Sequence, residues 1–280
     1  MTDLTHQLVQ LLTQANTSYR SGNALGALEQ LKPAIEADAL DGLLLASRIY
    51  WSLRQHEMAR QVLASSPAHA TKPVIQQTLW LLSSHFQLPL SGKNVTLERR
   101  GRADAFFVKT CWSDSEFMLK FHRFAKKIGS DQELIALLDA EENANLLTSS
   151  ALHWTINDTK GNKLGFISLV DFSLPFRRAE LIIGLIDPKP GFALEASLLI
   201  IDFAFRLLKL NKLCSVIYQD NQIAIAATAH LGFVKEGVLR EHIFDQDSKS
   251  FVDLHLSSLL ANEYFNNAKL SKFSKRLIGL

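Results

Sequence analysis

Through the first 86 residues apolar side chains recur three and four positions apart, carried by Ala and Leu among Gln and other polar residues, with almost no β-branched clustering. Such a rhythm gathers the apolar side chains on one helix face, so the stretch reads as a run of short amphipathic helices. Within it Ala15, Tyr19, Gly22, Ala27, Leu31 and Ala34 are followed by Ala46, Tyr50, Leu53, Ala59 and Leu63. The recurrence is about 32 residues, the length of one helical hairpin. A helix from Pro73 to Phe86, with Trp80 on its apolar side, is expected to close the stack.

The texture changes after residues 87–94, QLPLSGKN, whose proline, glycine and polar content reads as a linker. Val95 to Arg99 then reads as a strand, Ala105 to Cys111 and Ser115 to Phe124 as short helices, and Asp131 to Leu147 as a longer helix with an acidic start. Trp154 to Asn157 and Lys163 to Phe172 flank a turn at 158–162 and form a hairpin. Next come a strand from Ala179 to Ile186, a helix from Phe192 to Lys209, a strand from Leu213 to Tyr218 and a helix from Asn221 to Leu231. Val234 to Phe244 and Phe251 to Ser257 make a closing strand pair. The fold class is therefore α/β, an α+β mixed sheet with helices on its faces, preceded by an all-α helical domain. The expected domains are 1–86, a linker over 87–94, and 95–280.

Between Leu181 and Phe205 a buried-strand pattern breaks at Pro188, Lys189, Pro190 and Gly191 and restarts at once as an apolar helix. Glycine lets the main chain come close to a ligand, and the free amides and positive dipole end of the helix point at it, which suggests a phosphate-bearing cofactor. Charge adds little: 30 basic against 28 acidic residues among 280 leave +2, too small a field for a general nucleic-acid binder. Cys111 and Cys214 stand apart without metal-ligand neighbours, so no metal site and no structural disulfide are expected. The start, MTDLTHQLVQ, lacks the basic and apolar character of a signal peptide, and no apolar run reaches membrane-spanning length. A cytoplasmic protein without stable membrane insertion is the expectation.

The stretch ANTSYRSGNALGALEQLKPAIEADALD resembles tetratricopeptide repeats, which implies a protein partner held on the helices. The element order from Val95 to about Phe265, with the residues on it, resembles the GCN5-related N-acetyltransferase (GNAT) superfamily. That family's phosphate turn has the form Arg/Gln-x-x-Gly-x-Gly/Ala, whose amides hold the pyrophosphate of acetyl-CoA. In the aligned residues Pro188 to Ala193, Gly191 and Ala193 match and the leading Arg or Gln does not. A second anchor, Asn-x-x-Ala-x-x-x-Tyr-x-x-x-Gly-Phe, is matched by Asn221, Ala224, Gly232 and Phe233, while Thr228 replaces the tyrosine that often protonates the departing thiolate. Gly237, Arg240 and Glu241 with Asp253 resemble the branch holding ribosomal-protein N-terminal and amino-sugar acetyltransferases. From the residues themselves, Arg240 and Asp253 read as a cross-strand ion pair.

The resemblance implies an acetyl-CoA-dependent N-acetyltransferase whose phosphate-turn strand splays from the next one. Leu185 and Ile186 would lend backbone to the thioester, and Lys189, Gly191, Phe192 and Ala193 would hold the pyrophosphate. Asn221 and Thr228 would flank the pantetheine arm. Candidate bases for the ammonium proton are Glu180 and Asp171, and candidate acids are Tyr218 and then His242. The acceptor is a small-molecule or peptide amine: either a nucleotide-linked amino sugar, steered by Arg177 and Arg178, or a protein or peptide amine. The alternative is a catalytically impaired acyl-CoA-binding or scaffold protein, because Pro188 and Thr228 depart from the family pattern. The tail from Asn262 to Leu280 reads as one basic amphipathic helix that docks on its own protein.

Overall fold

The computed structural model describes residues 2–83, 87–121, 129–146, 149–245 and 248–280. The chain divides into two compact units, Met1–Gln87 and Leu88–Leu280.

The first unit consists of α1 (Thr2–Arg20), α2 (Ala24–Glu36), α3 (Leu40–Ser52), α4 (His56–Ala64) and α5 (Pro73–Leu81). Gly22, Asp38 and Arg54 adopt positive φ after α1, α2 and α3, the left-handed step that ends a helix and turns the chain. The recurring residues supply the packing. Ala15, Ala27, Leu31, Ala46 and Ile49 form one buried cluster, and Leu43, Trp51, Ala59, Leu63, Ile75 and Leu82 form a second. Small side chains at these points let the helix axes approach. The expected closing helix is shorter than the pattern suggested: α5 ends at Leu81, and 84–86 lie outside the described residues. Trp80 is not on its buried side, being 37% exposed, while Ile75, Thr78 and Leu81 face inward. Thr78 can occupy an inward position because its hydroxyl donates to the Val74 carbonyl at 2.7 Å.

The second unit is built on an eight-stranded sheet of order β1-β2-β3-β4-β5-β6-β8-β7. The strands are β1 (Leu90–Ser91), β2 (Val95–Arg99), β3 (Leu152–Asp158), β4 (Lys163–Ser173), β5 (Arg178–Leu185), β6 (Lys212–Tyr218), β7 (Val234–Asp245) and β8 (Ser250–Leu260). Every pairing is antiparallel except β5 with β6. The sheet carries α6 (Ala105–Ser113), α7 (Ser115–Phe121), α8 (Asp131–Glu142), α9 (Phe192–Asp202), α10 (Gln222–His230), α11 (Ala261–Asn266) and α12 (Ala268–Leu277). Val108, Cys111, Phe117, Leu134 and Leu138 of α6 to α8 pack with Phe166 of β4, while Phe203, just past α9, meets Trp154 of β3 edge to face at 5.4 Å.

Four expectations need correction. The stretch 87–94 is not simply a linker, because Leu90 and Ser91 pair with Leu97 and Thr96 as a small hairpin. The helix starting at Asp131 ends at Glu142, and that starting at Ser115 is described only to Phe121. The helix begun at Phe192 widens into a π turn over Phe203–Leu207, where the Leu208 amide reaches the Phe203 carbonyl. The tail is two helices, because the Asn267 side chain accepts from the amides of Lys269 and Leu270 and so starts α12 afresh. No helix among the described residues is long and apolar enough to cross a membrane.

Candidate functional site

β5 and β6 run together for three residue pairs, Arg178 with Lys212, Ala179 with Leu213 and Glu180 with Cys214, and beyond Glu180 they part. Each stays bonded to its other neighbour. β5 follows β4 until Leu185 lies opposite Gly165, and β6 follows β8 until Tyr218 lies opposite Leu254. Only the seam opens. In an antiparallel ladder alternate residues bond to opposite sides. The Ile186 amide donates to the Leu164 carbonyl at 2.9 Å and the Gln219 amide to the Asp253 carbonyl at 3.0 Å. Counting back from these, Ile183 and Leu185 on one edge and Val216 and Tyr218 on the other turn their N–H groups into the gap. Of the two residues expected to lend backbone here, Leu185 faces the gap and Ile186 faces β4.

A cavity of about 260 Å³ fills the gap, with Leu181 and Ile183 on one side and Val216 and Tyr218 on the other. It continues past Ala193 and Ser197 of α9 and along Asn221, Ala224 and Thr228 at α10. Phe121 also lines it, and its ring lies against Gly184, where any Cβ would collide with that ring. α10 is apolar in sequence, yet none of its residues is buried and Ile223 is 79% exposed. A helix of this composition facing an open cavity offers an apolar wall to a ligand.

The turn leading to α9 is open. Gly191 has φ +83°, and a Cβ there would meet no atom within 4 Å, so the need for glycine is conformational. The amides of Gly191, Ala193 and Leu194 find no acceptor among the described residues, whereas that of Phe192 donates to the Lys189 carbonyl at 3.2 Å and is not available to a ligand. The Lys189 ammonium lies 3.4 Å from Asp158 and 5.8 Å above the Phe192 ring, so its charge is held at the turn and partly balanced. One turn into α9, Glu195 is fully buried. Its carboxylate accepts from the Asn94 amide at 2.6 Å, the Asn94 side chain at 2.8 Å and the Val95 amide at 3.1 Å, fixing the start of the helix to the start of β2.

The acid and base candidates separate by position. Glu180 sits where the seam opens, and its carboxyl is pushed up to about 7, first by burial and then by the charge of Asp171, against the opposing pull of Arg178 and the Val216 amide. Asp171 is 63% exposed and pairs with Arg178 at 2.9 Å, so it acts on Glu180 through charge. Arg177 donates to the Lys209 carbonyl at 2.8 Å. Tyr218 lines the cavity. Thr228 does too, but its hydroxyl donates back to the Ala224 and Ile225 carbonyls of its own helix at 3.1 and 2.9 Å. His242 is exposed on the sheet-edge strand, and His242, Glu180 and Asp171 are all absent from the cavity's lining, Glu180 standing one residue before Leu181, which lines it. The expected Arg240–Asp253 pair does not form. Glu241 holds a positive φ in a bulge of β7, and its amide donates to the Asp253 carboxylate at 2.7 Å. Asn221 caps α10 by accepting from the Ala224 amide at 3.2 Å and also lines the cavity. Lys120, Phe121, Ser197 and His230 are lining residues that sequence reasoning missed. No local motif marks them, because they meet only through the fold.

The cavity running from the β5–β6 gap to α10, the gap-facing amides and the turn at Gly191 fit a long acyl carrier with a diphosphate near its middle, which describes acetyl-CoA. A family model for the acetyltransferase (GNAT) domain matches residues 95–234. Spermidine N(1)-acetyltransferase of Escherichia coli (strain K12) is 37% identical over 87 residues, 30% of this chain and 46% of that protein. The chain thus spans about half the length of that relative. Spermidine N(1)-acetyltransferase of Vibrio cholerae serotype O1 is 25% identical over 178 residues, 62% of this chain and 98% of that protein. The crystal structure of spermidine N-acetyltransferase from Vibrio cholerae in complex with CoA and spermine superposes with a TM-score of 0.54 at 24% identity, covering 61% of this chain and 98% of that one. At that identity the likeness is one of fold.

Proposed function

This chain belongs to the acetyltransferase (GNAT) domain family, and on that premise we propose that it moves the acetyl group of acetyl-CoA onto a primary amine of a small polyamine. The observation that carries the reading is the gap between β5 and β6, with main-chain amides facing it from both edges. When bound, acetyl-CoA supplies an acyl carbon made electrophilic by its thioester. The amides of Gly191, Ala193 and Leu194, with Lys189 beside them, hold the diphosphate at the start of α9. The amides of Ile183 and Leu185 polarise the acyl oxygen. Glu180 Oε accepts the proton of the incoming ammonium, directly or through water, and Tyr218 Oη gives one to the departing sulfur.

The acceptor class follows from charge. The relatives carry spermidine in their names, and the carboxyl of Glu180 stands where the seam opens, beside the Asp171–Arg178 pair. A nucleotide-linked amino sugar has weaker support, since Arg178 is paired with Asp171 and Arg177 is bonded to a carbonyl. The hydroxyl of Thr228, bonded back to its own helix, favours one second reading, a coenzyme-binding protein without transfer. Calorimetric titration with acetyl-CoA followed by a transfer assay on spermidine separates the two. Binding with turnover supports the enzyme, binding without turnover on any amine supports the second reading, and no binding contradicts both.

A further inference from the structure

α12 begins at Ala268, beyond residue 234 where the match to the acetyltransferase domain ends. One side of it is fixed to the unit. Leu270 and Ser274 are buried, Ser274 lies 3.2 Å from the Tyr264 hydroxyl, and the Leu277 carbonyl accepts from the Lys93 amide at 2.8 Å. Its sequence, AKLSKFSKRL, has four cations and no carboxylate. Surface helices commonly interleave the two signs, since like charges three or four apart repel. Lys269, Lys272, Lys275 and Arg276 are all exposed.

The cations are organised around one ring. Lys269 Nζ lies 5.9 Å and Arg276 Cζ 5.4 Å from the centroid of Phe273, and the imidazole of His230 stacks on the same ring at 6.1 Å with 27° between planes. His230 ends α10 and also lines the cavity. The exposed imidazole of His230, backed by the Phe273 ring with Lys269 and Arg276 over that ring and with Lys269 Nζ 3.4 Å from its Nδ1, thus adjoins the α10 end of the cavity. Purine rings stack on such faces, and phosphates pair with such cations.

We infer that α12 completes the coenzyme site by holding the 3′-phosphoadenosine end of coenzyme A, with His230, backed by Phe273, facing the adenine and Lys269 and Arg276 the 3′-phosphate. This rests on the reading of the cavity as the acetyl-CoA site. With the thioester in the gap and the diphosphate at Gly191, the nucleotide is the part left to occupy the α10 end.

The test compares coenzyme A with 3′-dephospho-coenzyme A by calorimetry on the full chain and on Lys269→Ala/Arg276→Ala. Both positions are exposed, and an unchanged melting temperature verifies that the variant folds. The expected wild-type preference for coenzyme A is about tenfold, the equivalent of two screened ion pairs, and it shrinks as salt is added. In the double variant the two ligands bind within about twofold of each other, because the ion pairs to the extra phosphate are gone. Equal binding of both ligands by the wild type, or a preference that survives the substitutions, overturns the role of α12 and leaves the cavity reading intact. Failure of the wild type to bind either ligand overturns the cavity reading and this inference with it.

Discussion

In the proposed transfer Glu180 is the base. It is half-buried at the last β5–β6 pair, and its carboxyl titrates at about 7 because burial disfavours its charge and Asp171 adds to the effect. A base works in its ionised form, so kcat/KM for the amine should climb as pH rises through about 7. The acceptor's own ionisation adds a further limb at higher pH. Glu180→Gln should remove the lower limb, keep the upper one and reduce kcat by about 100-fold or more; a variant with an unaltered profile would show that another group takes the proton. Gly191 is tested by Gly191→Val. A Cβ at this position meets no neighbour within 4 Å, so the expected effect is backbone strain of about 1–2 kcal/mol at a positive φ together with displaced amides. Coenzyme A affinity measured by calorimetry should fall about tenfold, and unchanged affinity would remove the turn from the site. Gly191 and Asn221 were legible in the sequence because each is needed for a local reason, a left-handed step and a helix cap.

Among the elements, α9 carries most of the geometry. Its strand, turn and helix order could be read from the pattern, but the anchor that sets its position could not. Glu195 meets Asn94 across 101 positions of sequence. Glu195→Ala would leave the two Asn94 donors and the Val95 amide without their acceptor and should cost about 3 kcal/mol or more in urea unfolding. A loss below about 1 kcal/mol would mean that other groups or water satisfy those amides. The π turn after Asp202 escaped the pattern for a similar reason. It accompanies the seating of Phe203 on Trp154 and of Phe205 on Tyr264, contacts with distant strands and helices. The break at Asn267 was local and readable, since asparagine is a common helix cap, yet the run of apolar and basic residues across it read as one helix.

At the scale of the sheet, the pairings among the described residues are broken locally by bulges, and β5 and β6, the parallel pair, separate beyond Glu180. On β3, His153 sits beside the buried Arg100–Glu141 pair, 3.9 Å from that carboxylate, and bonds Ser168 at 2.8 Å. Arg100 is the closer partner of Glu141, and burial, then Arg100 and Arg99, push the imidazole down to about 3, so it is neutral in the fold. An unfolded histidine takes a proton near 6.5. Stability from this group is therefore full above that value and falls as pH drops towards about 3. Wild type should lose about 2 kcal/mol more than His153→Gln between about pH 7 and pH 5 in urea unfolding, at roughly 1.4 kcal/mol per pH unit. Glu180 works in the opposite direction, its raised pKa lowering stability as pH rises from 4.5 to about 7, and it does so in both proteins. Equal pH dependence would show that His153 is protonated in the fold.

The central claim, that the β5–β6 seam receives a thioester, is tested most directly by a crystal structure of the full chain grown with coenzyme A. The account predicts the sulfur between Ile183 and Val216, with the diphosphate on the amides of Gly191, Ala193 and Leu194. Coenzyme bound elsewhere, or a seam closed by its own side chains, would contradict it.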